Sequence, residues 1–65
     1  MDKYEIAVLA EDYERKRIRF EALGMCNVAG LKLEERIASA VEYHVAEAET
    51  MEAFRLLEQA KVKAP

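Results

Sequence analysis

VAGLKLEERIASAVEYHVAEAETMEAFRLLEQAKV, residues 28–62, holds no proline and a single glycine, Gly30, and it repeats apolar residues at helical spacing for longer than an ordinary globular helix. Leu33, Ile37, Val41, His44, Ala48, Met51 and Phe54 recur three or four residues apart, which places them on one stripe of a helix whose other faces are mostly charged. Such a stripe has to be buried. A chain of 65 residues has little else with which to cover it, so the expectation is an all-α fold that assembles with further copies of itself.

Upstream of this stretch lies one partner helix. Asp2 and Glu5 have the spacing of a capping box, in which the Asp2 carboxylate accepts from the Glu5 amide while Glu5 reaches back to the Asp2 amide. The helix that starts there carries a stripe of Ile6, Leu9, Tyr13, Lys16, Phe20 and Leu23, steps of three and four with one polar interruption at Lys16. Gly24 is expected to end it in the left-handed conformation, giving a short helix over about 3–23.

Asn27 is the candidate cap of the second helix, with Cys26 and Leu31 placed as a hydrophobic staple; the alternative start falls just after Gly30. The long helix then covers about 28–62, and Thr50 is the one residue that suggests the cap of a separate third helix. A short connection makes the two helices antiparallel neighbours. About 21 residues span roughly 31 Å and about 34 span roughly 50 Å. The longer helix should therefore project past the start of the shorter, exposing Met51, Phe54, Leu56 and Leu57. Met51, Phe54 and Leu57 are accordingly the expected oligomer interface, and a twofold dimer closing a four-helix bundle is the simplest arrangement, with higher symmetric rings meeting the same need. The end, Lys61-Val62-Lys63-Ala64-Pro65, should fray, its lysines well placed at a helix carboxyl terminus.

Composition agrees with this reading. Residues 1–65 make one domain at most, and a monomer of that size buries only about 60 per cent of the surface of its unfolded chain. Disulfides, a structural metal or association usually supplement so thin a core. Cys26 is the single cysteine and His44 the single histidine, so neither an intrachain disulfide nor a four-ligand zinc site can be built, and association remains. Hydrophobic residues at 52% and charged residues at 35% suit a folded helical chain. A net charge of -3 argues against a polymeric nucleic acid as partner. No apolar run approaches a membrane span, and Met1-Asp2-Lys3-Tyr4-Glu5 has acids where a signal peptide needs a basic start, so a cytoplasmic protein without a membrane partner is expected.

Among residues that carry chemistry, the basic run Arg15-Lys16-Arg17, continued by Arg19 and flanked by Tyr13 and Phe20, is the sharpest signal. Arg15 and Arg19 stand one turn apart, a spacing suited to gripping a phosphate, with aromatic rings near for a base to stack upon. Glu11, Asp12 and Glu21 lie four residues from Arg15, Lys16 and Arg17, and those spacings equally describe a solvated face laced with ion pairs. The candidate ligand residues are Tyr13, Arg15, Lys16, Arg19 and Tyr43. His44 lies among Glu42, Tyr43 and Glu47; as a stripe residue it reads first as a polar register-setter in a seam, second as a symmetric metal ligand between subunits. Val41, three before His44, breaks the Glu-x-x-His pattern of di-iron bundles, and no metal or cofactor is expected. Cys26 has no adjacent base and is expected to pack in the turn. Glu42, Glu47, Glu49 and Glu52 form an acidic stretch without lysine or arginine, a solvated face or a surface for a basic partner. Tyr4 and Tyr43 suit a core edge as well as a ligand. No serine-histidine-acid set, phosphate-cradling glycine loop or carboxylate pair appears, so an enzyme is not expected.

Arg36-Ile37-Ala38-Ser39-Ala40-Val41-Glu42-Tyr43 resembles the second helix of small phage-encoded sponges that sequester cyclic oligonucleotides of bacterial defence. The resemblance covers those eight positions and implies a small, helical, oligomeric, non-enzymatic protein dependent on phosphate grips. Two expectations therefore stand: a self-associating helical protein-interaction or regulatory module, and an oligomeric nucleotide binder using Arg15, Arg19 and tyrosines at subunit interfaces.

Overall fold

The computed structural model describes residues 3–63 as two helices packed along one another in a hairpin: α1, Lys3–Gly24, and α2, Leu33–Lys63. Asp2 of the expected capping box and Ala64 and Pro65 of the expected frayed tail lie outside the described residues. Thr50 opens no third helix. The helix runs straight through it, and its hydroxyl donates back to the carbonyl of Ala46 at 2.7 Å, the bond by which a threonine is accommodated inside a helix.

Both expected signals of the connection act differently from the reading above. Gly24 does not adopt the left-handed conformation, because no described residue has a positive φ; α1 closes instead by a tightened turn, with the Met25 amide 3.2 Å from the Glu21 and Ala22 carbonyls. What Gly24 provides is space: a Cβ there would stand 3.3 Å from Cε2 of Tyr43. Asn27 caps a single turn and not α2. Its Oδ1 accepts from the Ala29 amide at 2.9 Å, the Leu31 amide donates to the Val28 carbonyl at 3.1 Å, and the turn stops at Gly30. The helix proper begins five residues later than the earlier expected start, where Glu35 reaches back to the Lys32 amide at 3.4 Å, half of a capping box. Arg36 ties this loop to α2 through the carbonyls of Leu31 at 3.1 Å and Ala29 at 3.2 Å.

The seam on α1 is the expected one: Ile6, Leu9, Tyr13, Lys16, Phe20 and Leu23 are all part-buried. On α2 the seam is Ser39, Tyr43, Ala46, Thr50, Ala53, Leu57 and Ala60, alternating steps of four and three, with all but the first two buried. Ala46, Ala53 and Ala60 are too small to hold the helices far apart, and the Thr50 hydroxyl reaches the Lys16 carbonyl of α1 at 3.1 Å. Aromatic pairs close the contact on either side: Tyr13 on Phe54 with centroids 5.5 Å apart, and Phe20 on Tyr43 at 4.9 Å.

This register corrects the expected overhang. With Lys16 level with Thr50, one residue for one residue in antiparallel helices places Lys3 level with Lys63 and Gly24 level with Glu42. The part of α2 that outruns α1 is its beginning, residues 33–41, and not its end. Leu57 is accordingly only 5% exposed, covered by α1 of its own chain, whereas Met51 is 66% exposed. The molecule measures 51 × 13 × 11 Å. Its radius of gyration, 15.3 Å, exceeds the roughly 11 Å of a compact chain of this length.

Candidate functional site

Arg15, Lys16 and Arg19 gather, as their spacing implies, on one side of α1, where they border a shallow hollow completed by Asp12 and by Glu49 of α2. Each cation already faces a carboxylate. Lys16 Nζ lies 2.9 Å from Asp12, Arg15 3.5 Å from Asp12, and Arg19 3.9 Å from Glu49. Arg17 is clamped between Glu14 and Glu21, and its hydrogen bond to Glu14 holds that carboxyl below its usual value while raising the guanidinium above its own. Solvated pairs of this kind add little to stability. An incoming phosphate would have to displace Asp12 and Glu49, the second of which the sequence alone could not place there.

The two tyrosines expected to complete a ligand site do not meet there. Tyr13 packs on Phe54 beside the basic hollow, while Tyr43 lies at the loop end against Phe20 and edge-on to His44, with centroids 5.6 Å apart. Tyr43 and His44 instead border a separate hollow with Gly24, Val28, Arg36 and Ser39. His44 faces solvent, its Nδ1 3.8 Å from a Glu47 oxygen, and not the intramolecular seam. Cys26 is exposed, against the expectation that it packs in the turn, with Sγ 3.5 Å from the Ala22 carbonyl. Among the described residues no group of three or more histidine, cysteine or carboxylate side chains could hold a metal ion. Among the described residues no helix is long and apolar enough to cross a membrane.

The remaining surface is apolar and extensive. Leu33, Ile37, Val41, Val45 and Met51 are between 48 and 71% exposed, with the small Ala48 among them also exposed. A step of two residues turns a helix by about 200°, so Ala48 lies opposite its neighbours Ala46 and Thr50 in the seam. The apolar stripe running from Leu33 to Met51 is therefore present on α2. It faces away from α1, and the alanine-rich face is the one α1 covers. Phe54 is the exception, half-exposed at the flank of the seam beside Tyr13.

Comparison with protein-family models, with curated proteins and with solved structures finds no match to this chain.

Proposed function

We propose that this chain is a small, non-enzymatic, self-associating helical module of the cytoplasm that works by binding, its hairpins joining in a helical bundle of which a dimer is the simplest form. The observation that carries the reading is surface area. The chain exposes 5126 Å², whereas a compact monomer of 7.4 kDa is expected to expose about 4,200 Å². The excess, about 900 Å², is close to the roughly 800 Å² that each partner contributes to a standard protein interface. Among the described residues only five are buried, three of them alanines, so the single chain has little core of its own. Sedimentation equilibrium across tens of micromolar tests the proposal: a dimeric or higher mass is expected, and a monomeric mass throughout the range overturns it.

A second reading, an oligomeric binder of a phosphate-bearing ligand such as a cyclic oligonucleotide, draws on the convergence of Arg15, Lys16 and Arg19 around one hollow. It requires the ligand to compete with Asp12 and Glu49, and it requires Tyr43, which lies at the loop end of its own hairpin, to come from a neighbouring chain.

A further inference from the structure

We infer that the outward face of α2 binds the same face of a second copy in antiparallel orientation, so that the two α2 helices lie at the centre and the two α1 helices outside. This rests on the self-association proposed above and names its surface and geometry.

Size argues first. The five large apolar side chains of this face amount to roughly 500 Å² per chain, towards the upper end of the largest patch a monomer leaves exposed; two such faces reach about 1,000 Å², the lower bound of a stable interface. Spacing argues next: Ile37, Val41, His44, Ala48 and Met51 alternate steps of four and three, the seam of a two-helix contact. Ala48 lets the backbones approach. Because this seam lies opposite the one occupied by α1, a partner can seat on it without disturbing the hairpin.

Charge then chooses both the occupant and its direction. The face is bordered by Glu34 at one end and Arg55 at the other. Arg55 is already paired with Glu52 of its own chain; parallel pairing would set Glu34 beside Glu34, while antiparallel pairing sets each Glu34 beside that neutral pair at the far end of the partner's face. Antiparallel pairing also opposes the helix dipoles, placing the first-turn acids Glu34 and Glu35 towards the end that carries Lys61 and Lys63. An anionic lipid surface fits less well, since Glu34 and Glu52 flank the face where such a surface selects lysine and arginine. Full overlap of the stripe on its reversed copy sets Leu33 against Met51 of the partner subunit, with Ile37 against Ala48 and Val41 near His44.

The test uses full-length protein in a Cys26→Ser background. Val41→Glu should weaken association at least tenfold by sedimentation with helicity retained by circular dichroism, and Val8→Glu, on the outward face of α1, should leave it unchanged. Mixing the Leu33→Cys and Met51→Cys variants under mild oxidation should give the mixed disulfide dimer in preference to either like pair. Like pairs in preference overturn the antiparallel orientation. A dimer that survives Val41→Glu overturns this face while leaving self-association standing, and a wild-type monomer throughout ends both. A monomer that instead binds anionic vesicles through Val41 assigns the face to lipid.

Discussion

The hydroxyl of Thr50 reaches across the hairpin to the carbonyl oxygen of Lys16, 3.1 Å away. A side chain as short as threonine makes such a contact only where two helix backbones run close together, so this pair marks a place of close approach in the hairpin. The Lys16 carbonyl sits inside α1 and keeps its own helical partner when the hydroxyl is removed. Thr50→Val preserves the branched shape and should cost about 1 kcal/mol or less in urea unfolding; a loss of several would mean that this bond, and not the packing, sets the helix spacing.

Ala53 sits one turn further along the same seam, 3% exposed. Ala53→Leu forces a larger side chain between helices that have no room for it, and overpacking of this kind costs about 1–3 kcal/mol. The same change at exposed Ala48 meets no such neighbour within the chain. Chemical denaturation of the two variants at a concentration where both are monomeric should separate them, Ala53→Leu falling well below Ala48→Leu.

That contrast shows where the sequence was legible. The α1 stripe is legible because it is the one apolar stripe of substantial length on that helix, so periodicity leaves no choice of face. The α2 helix carries two stripes, and ranking by side-chain size picks Leu33, Ile37, Val41 and Met51 over Ala46, Thr50, Ala53 and Ala60. The smaller side chains form the intramolecular seam because close approach, and not bulk, is what holds α1. Leu57 lies in no projecting part for a related reason: the overhang depends on register, which the contact of Thr50 with Lys16 marks and helix length alone does not. The basic hollow was legible only in part, since Arg15 and Arg19 share a face by spacing whereas Glu49 arrives from the other helix.

Two exposed ion pairs add a small acid sensitivity to the hairpin. Hydrogen bonds from Arg17 and Arg55 lower the Glu14 and Glu52 carboxyls beneath their ordinary value of 4.5, with the charges of Arg17, Arg55 and, for Glu52, Lys16 adding to the effect. A carboxyl whose folded value is depressed favours the folded state fully above the unfolded value, and that contribution is lost as pH falls through the folded one. Helicity followed by circular dichroism should therefore hold as pH falls to about 4.5 and decline below it. The double variant Glu14→Gln with Glu52→Gln should show a shallower decline; an unchanged acid profile would show that these pairs do not contribute.

A thermal-shift screen with mononucleotides and cyclic di- and trinucleotides separates the two functional readings. A ligand present at a hundred times its dissociation constant adds about 2.7 kcal/mol of stability, a readily visible shift for so small a protein. The expected result is no shift, because Asp12 and Glu49 already face the cations of the hollow. A shift that disappears in Arg15→Ala with Arg19→Ala would put the phosphate-binding reading first.

Met51 and Leu57, expected from sequence to act together, should behave oppositely when shortened. Leu57 is covered by α1 within one chain, and truncating a buried leucine costs about 2–5 kcal/mol; a hairpin with so few buried residues has little margin for such a loss. Leu57→Ala should therefore lower helicity even at concentrations where the chain is monomeric. Met51 lies on the uncovered face, so Met51→Ala removes contact area that only a second chain can use. Its monomer should unfold at the wild-type urea concentration, while its association, measured by sedimentation, should weaken severalfold. Equal loss of monomer stability in both variants would place Met51 inside the hairpin and contradict the register described above.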